Sequence, residues 1–450
     1  MKTVLRDCLL PGGERADVAV EGGVIAAVGE CGDGGLTIDV KGHLLIPGAI
    51  DCHVHFRDFR HAYKEDWLSG TSAASAGGVT TVLEMPNTSP PSVDRESLLA
   101  KCDLARKGTV NYGLHLGATA ETCTVIAREG LAVSDRLPSA PEISSRSAPD
   151  GFGRPREGLA DLPIASLKVF FGSTTGNLLI DSDEVLEELF RCWSGLFTAH
   201  CEDEKSIMQA TRSAREGEGQ TLHEQIRSRE AALLALEKYL ALGERYGRRV
   251  HVCHVTTREE ISLIRSARGR GLPVSAEATP HHLFLCRDDA LGNGNLLKVN
   301  PPLREKEDCE SLRQALIDGT VDCIASDHAP HLIEEKRRPY QEASAGVPGI
   351  ETAVPLALTF ALREGIQVST AVRWLSEKPA GIFGLTGRGT LEPGAAADLT
   401  VVDMTGKRAV RGRRLRTKAR WSPFEGWELA GWPILTMVNG RVVFREDEKQ

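Results

Sequence analysis

Two histidines one residue apart, His53 and His55, follow an apolar lead, Ile46-Pro47-Gly48-Ala49-Ile50. Side chains two apart on a strand share a face, so both imidazoles can reach one metal ion, with Arg57 on the same side. An isolated His-x-His more often just closes a strand, and the rest of the chain decides between the readings. Four further apolar, strand-like runs carry ligand-type side chains at or near their ends. Lys168 lies in Ser166-Leu-Lys-Val-Phe-Phe, His200 in Thr198-Ala-His-Cys-Glu-Asp, His254 in His251-Val-Cys-His, and Asp327 in Ala325-Ser-Asp-His-Ala-Pro-His. Neutral imidazoles with one carboxylate suit zinc and similar first-row ions better than magnesium or calcium, which prefer oxygen shells. Lys168 is the odd member, because an ammonium beside a dication is repelled. It must lose its proton, point away, or be converted by carbon dioxide into an anionic carbamate able to bridge two metals. The plain alternative is an ordinary lysine paired with an acid.

A barrel positions such residues. Candidate strands are 46–55, 80–85, 111–118, 166–171, 195–200, 249–255, 273–278 and 321–326, with helices between them, for example 182–192, 223–246 and 258–268. Eight strands alternating with helices predict an α/β fold of the (β/α)8 TIM type, whose sites gather at the carboxyl ends of the strands. A doubly wound open sheet is the alternative, ranked lower because polar clusters close nearly every strand and do not gather at one switch point. The chain ends read as short strands. A hairpin turns at Glu21-Gly22-Gly23 and another at Asn439-Gly440. Neither end can bury a core alone, so 1–45 and 391–450 are expected to join in one small β-sandwich domain beside a barrel over 46–390.

Composition sets the frame. The 450 residues, 26% charged and 41% hydrophobic, suit a globular protein of one large and one smaller unit. A formal net charge of -8 gives no reason to expect nucleic acid or an anionic membrane as partner. Eleven scattered cysteines without a C-x-x-C pair predict reduced thiols, and Cys52, Cys201, Cys253 and Cys323 read as buried core thiols. No apolar run marks a signal peptide or approaches membrane-spanning length, so a cytoplasmic protein is expected.

The order His53-Val-His-Phe-Arg, a strand-four lysine, then His, His and Asp resembles the cyclic amidohydrolases of the amidohydrolase superfamily. Among them the chain is most similar to the dihydroorotases of the pyrimidine pathway. Glu84-Met-Pro-Asn-Thr, Thr279-Pro-His-His-Leu, Lys298-Val-Asn-Pro-Pro-Leu-Arg and Ser326-Asp-His-Ala-Pro-His carry that likeness, which spans about Ile46 to Gly394. The resemblance implies two zinc ions per subunit, bridged by carboxylated Lys168 and a hydroxide. His53, His55 and Asp327 would hold one ion, and His200 and His254 the other. It also implies reversible hydrolysis of dihydroorotate to N-carbamoyl-L-aspartate, with Asp327 as general base and then acid. The substrate carboxylate would meet Arg57, Asn87 and His331; Asn300 and the Ala345-Gly346 backbone would contact the ring, and His55 would border the substrate. A homo-oligomer or a complex with aspartate transcarbamoylase is compatible with the sequence, which is silent on both.

Some features depart from the pattern or stay unassigned. After Arg57 such relatives read an acid, then Pro-Gly, whereas this chain reads Asp58-Phe59-Arg60, leaving that loop's conformation and the influence of Arg60 open. His281 and His282 are read as packing or supporting residues, and His61, His251 and His328 receive no role. The polar segment 332–345 reads equally as a lid or a solvated loop. Allantoinase and dihydropyrimidinase (hydantoinase) are the nearest rival activities. A non-catalytic scaffold is the rival of another class, disfavoured because every expected ligand is present.

Overall fold

The computed structural model describes residues 2–32, 34–129, 162–174, 176–214 and 219–446. Eight parallel strands form the centre: β6 (Ala49–Val54), β7 (Val79–Glu84), β8 (Asn111–Gly117), β9 (Ile164–Phe170), β10 (Phe197–His200), β11 (Val250–Val252), β12 (Val274–Ala278) and β13 (Cys323–Ile324). They pair in sequence order, and the ring is drawn together where Val54 bridges His328 and the His55 N–H donates to the His328 carbonyl at 2.8 Å. β6 and β7 are buried at every position, Asp51, His53, Thr80, Thr81 and Glu84 included, as befits parallel strands covered on both faces. The result is the nearly closed α/β barrel that the strand–helix alternation predicts. Its main core lies between strands and helices, with Val82, Leu114, Leu167, Phe197 and Val252 packed against residues such as Leu186, Leu236 and Ile264.

Both chain ends contribute to a second sheet. Its strands are β1 (Thr3–Leu9), β2 (Arg15–Glu21), β3 (Val24–Gly29), β4 (Leu36–Asp39), β5 (Leu44–Pro47), β14 (Leu399–Asp403), β17 (Trp432–Val438) and β18 (Arg441–Arg445); a short ribbon, β15 (Arg408–Ala409) with β16 (Glu428–Leu429), stands apart. β14 lies between β5 and β17, so N- and C-terminal segments share one ladder. Leu5, Val18, Ile25, Leu45, Leu399 and Met437 form its own apolar core. Asp398 ties this sheet to the barrel, accepting from Arg388, from Asn111 Nδ2 at 3.0 Å and from the Asn439 N–H at 2.7 Å.

Three local expectations change. The helix expected over 223–246 is two, Gly219–Ile226 and Arg229–Tyr246, because Ser228 caps the second, its side chain accepting from the Ala231 N–H. β11 and β13 are shorter than their apolar runs, leaving His254 and Asp327 beyond the strands with φ of 35° and 44°. The cysteines are not all thiols. Cys123 and Cys192 form a disulfide across the packed helices Thr122–Glu129 and Asp183–Cys192, a pairing 69 residues apart that spacing alone does not reveal. Cys52, Cys201, Cys253 and Cys323 are buried thiols as expected. Among the described residues no helix is long and apolar enough to cross a membrane.

Candidate active site

At the carboxyl ends of the strands, one pocket is lined by His53, His55, Arg57, Asn87, Lys168, His200, His254, Asn300, Asp327, Ala345 and Gly346, together with Phe170, Thr174 and Ala329. Every metal-ligand candidate of the sequence is here, and every substrate-side candidate except His331.

The two strand-one imidazoles are each held from behind. His53 Nδ1 donates to Glu277 Oε1 at 2.5 Å, and His55 Nδ1 donates to Asn87 Oδ1 at 2.8 Å. With Nδ1 carrying the proton, each ring presents an Nε2 lone pair. Both lone pairs face Asp327 Oδ1, at 3.4 Å from His53 and 3.1 Å from His55. With both rings neutral, three acceptors would converge without a hydrogen between them, an arrangement that calls for a positive charge there, a proton on His53 or a metal ion. The protein field points the same way. Burial alone would lower His53, but the Glu277 and Asp327 carboxylates outweigh it and raise the ring to about 10. His55 is lowered to about 4 by burial, against the pull of Asp327.

A second pair sits beside the first. His200 Nε2 donates to Glu202 Oε2 at 2.8 Å, which leaves Nδ1 as the lone pair facing His254 Nε2 at 3.0 Å. Glu202 also accepts from Arg227, and despite burial its carboxyl is lowered to about 2 by that guanidinium and by His200. Lys168, 1% exposed, bonds Cys253 Sγ at 2.9 Å and lies over the Phe170 ring; it makes no ion pair among the described residues. A buried ammonium among imidazoles with no carboxylate is costly. Conversion of its Nζ to an anionic carbamate removes that cost when cations are bound. The donor set therefore fits a pair of first-row dications: imidazole lone pairs, one carboxylate and a modifiable lysine.

The substrate side is built around Arg57. Arg57 is 5% exposed, and its guanidinium has no carboxylate partner within 4 Å among the described residues; its Nε donates to the Pro330 carbonyl at 3.4 Å. Arg57, Asp58 and Phe59 have φ of 61°, 41° and 44°, a run of backbone conformations that costs free energy in non-glycine residues and clusters at functional sites. Asp58 secures the turn, accepting from the Phe59 N–H at 2.8 Å and the Trp67 N–H at 3.2 Å. Arg60 is exposed and does not line the pocket, so the unusual loop leaves Arg57 as the cation at the mouth. His331 lies behind that mouth, with Nε2 3.0 Å from both Arg57 Nη2 and the Ala345 carbonyl. Gly346 has φ of 132°, and a Cβ there would stand 2.6 Å from the Ala329 carbonyl oxygen, so only glycine fits. Its N–H is committed to the Lys298 carbonyl at 2.9 Å.

The segment 332–345 is neither plain solvated loop nor unattached. Lys336 is fully buried and donates to the carbonyls of Lys298, Ser344 and Gly346 at 2.8, 2.8 and 2.9 Å. His282 is satisfied by Thr279 Oγ1 and the Pro301 carbonyl, in the supporting place expected, and His281 is buried nearby. The residues missed in the sequence are Glu277, Glu202, Arg227, Lys64 and Lys336. An acid inside the strand run Val274-Ser-Ala-Glu-Ala, and another two residues after His200, were readable signals.

A parallel barrel with this histidine, lysine and aspartate mouth defines a hydrolase class, and the chain belongs to the amidohydrolase family, whose model matches residues 44–443. Among curated relatives, a dihydroorotase of Staphylococcus aureus (strain Mu50) is 36% identical over 472 aligned positions covering 100% of both chains. A dihydroorotase of Methanosarcina mazei is 35% identical, covering 96% of this chain and 91% of its own. Among solved structures, an L-hydantoinase (dihydropyrimidinase) from Arthrobacter aurescens superimposes with a TM-score of 0.87 at 28% identity, covering 99% of this chain and 96% of the other.

Proposed function

We propose that this chain is a dihydroorotase, catalysing the reversible, metal-dependent hydrolysis of dihydroorotate to N-carbamoyl-L-aspartate in de novo pyrimidine synthesis. One observation carries the choice of substrate: Arg57, a buried guanidinium at the pocket mouth without a carboxylate partner among the described residues. A buried unpaired cation calls for an anionic ligand, and a guanidinium grips a carboxylate in a bidentate pair. The full-length identity to dihydroorotases supports the same reading.

His53, His55 and Asp327 would hold one zinc ion and His200 and His254 a second, with Lys168, carboxylated, shared between them. When bound, the ions supply Lewis acidity that lowers the pKa of water and polarises the ring amide carbonyl. Arg57 fixes the acidic end of the ring, and Asn87 stands beside it at the mouth, its oxygen already committed to His55. Asn300 Oδ1, buried in the pocket lining without a hydrogen-bond partner among the described residues, would accept a ring N–H. The Ala345 carbonyl keeps a second lone pair for the ring beyond its bond from His331. His331 serves the carboxylate through Arg57 and Ala345 more than by direct reach. Asp327 moves the proton: water attacks the amide carbonyl carbon, Asp327 takes the proton released, and then delivers it to the ring nitrogen as the C–N bond breaks.

The hydantoinase fold match favours a second reading, a cyclic amidohydrolase for rings without a carboxylate. Turnover of dihydroorotate, dihydrouracil, hydantoin and allantoin by purified protein, with metal analysis of the same sample, separates the two. Dihydroorotate should lead by orders of magnitude in kcat/KM; preference for dihydrouracil, hydantoin or allantoin overturns the proposal.

A further inference from the structure

We infer that Glu277 is a positioning residue for the metal centre, holding His53 by Nδ1 so that Nε2 is presented to an ion. The inference rests on the reading of His53 as a metal ligand. Glu277 lies on β12 and is wholly buried. Its two oxygens are fully used. Oε1 accepts from His53 Nδ1 at 2.5 Å and from the His254 N–H at 3.3 Å; Oε2 accepts from His251 Nε2 at 3.0 Å and from Cys52 Sγ at 3.3 Å. One carboxylate therefore orients the side chain of one candidate ligand and the backbone of another.

The charge is the telling feature. No lysine or arginine pairs with Glu277 among the described residues, whereas Glu202, in the same place behind His200, is paired with Arg227. A buried carboxylate is expensive, and with no lysine or arginine beside it the positive charge it needs has to come through the His53 ring, from a second proton or from an ion bound there. A dication on the far side of the His53 ring supplies the missing charge, relayed through an imidazole that Glu277 makes more basic. The donor atoms of Cys52, His251 and Cys323 also converge within 4.8 Å of one another, as a separate metal site would require. Two of the three are already spoken for, because His251 is bonded at both nitrogens, to Ser275 Oγ and Glu277, and Cys52 donates to Glu277. Those two are donors to the carboxylate.

The test is a cobalt(II) titration of full-length metal-free protein in competition with a chelator, followed by the visible absorption of bound Co2+. Wild type should bind two ions. Glu277→Gln keeps the volume and should weaken the site served by His53 about 10–100-fold and change its absorption bands, with the site served by His254, held only through its backbone, weakened less. Its metal-free form should melt within about 5 °C of wild type. Cys52→Ala removes one donor from Oε2 without touching His53, and should weaken the same site severalfold; it carries the test if Glu277→Gln does not fold. Two wild-type-like sites in Glu277→Gln, or in Cys52→Ala should that variant stand in, overturn the inference. So does equal loss of both sites with a falling metal-free melting temperature, which marks a general packing role. Wild-type protein that takes up no Co2+ overturns the metal centre itself, and the role of Glu277 with it.

Discussion

The ammonium of Lys64 stands 3.1 Å from Nδ1 of His331 and 2.9 Å from Glu335 Oε1. Lysine and arginine side chains only donate, so Lys64 at Nδ1 and Arg57 Nη2, 3.0 Å from Nε2, compete for the one lone pair of a neutral ring. The Ala345 carbonyl, which can only accept at Nε2, sides with Lys64 and places the imidazole proton on Nε2. Burial and Arg57 hold His331 well below the usual histidine range, which keeps the ring neutral and this tautomer in force. Lys64→Met should free the ring to take the other tautomer, with Nε2 accepting from Arg57 and the bond to the Ala345 carbonyl lost. Loss of one or two hydrogen bonds of about 1 kcal/mol each predicts a rise in KM for dihydroorotate of about 5–30-fold with kcat changed less. Steady-state kinetics check it; an unchanged KM means that Lys64 does not set the tautomer.

In the proposed reaction Asp327 takes the proton that is released, from a position where its backbone φ is 44°. Asp327→Asn keeps the volume and removes the proton carrier. Turnover should fall by about 10²–10⁴-fold, the usual worth of a positioned acid–base group. Near-normal hydrolysis by that variant would remove Asp327 from the mechanism.

Among the described residues Lys168 has no acidic partner, only Cys253 and the Phe170 ring. Lys168→Ala should lose metal along with activity, and added short carboxylic acids should restore part of both by standing in for the lost carbamate. Metal content by elemental analysis is the measurement. A fully loaded Lys168→Ala protein would show that the lysine bridges nothing.

The barrel and the gathering of the candidate ligands at its mouth were legible because parallel strands buried on both faces leave largely apolar runs, and ligand-type side chains interrupt those runs at or near one end. What escaped notice depends on chain segments meeting in space. Lys336 sits in Glu334-Glu335-Lys336-Arg337-Arg338, which reads as a solvated run; its burial comes from carbonyls of Ser344, Gly346 and Lys298 folding back on it. His331, four residues beyond Asp327, shares its segment but not its direction, because the left-handed turn at Asp327 redirects the chain. Glu277 was hidden differently. Attention to strand ends passes over an acid one residue short of the end, where only its partners explain it.

Glu351 offers a pH test away from the ligands. Its carboxyl is buried, accepting N–H bonds from Arg416 at 2.8 Å and Thr417 at 3.1 Å, and burial pushes it up to about 8, helped by nearby Glu65. The folded protein then holds a proton that the unfolded chain releases near the ordinary value of 4.5. Between those values the native state binds more protons, so stability falls as pH rises, by up to about 1.4 kcal/mol per pH unit for one group. The contribution is complete below pH 4.5 and lost as pH passes about 8. Glu84, raised to about 7 by burial, adds the same sign over a narrower window. Glu351→Gln keeps an oxygen for the two N–H groups and cannot titrate. Urea unfolding at several pH values between 5 and 9 should show the variant gaining on wild type as pH rises; parallel curves would mean that Glu351 is ionised in the fold.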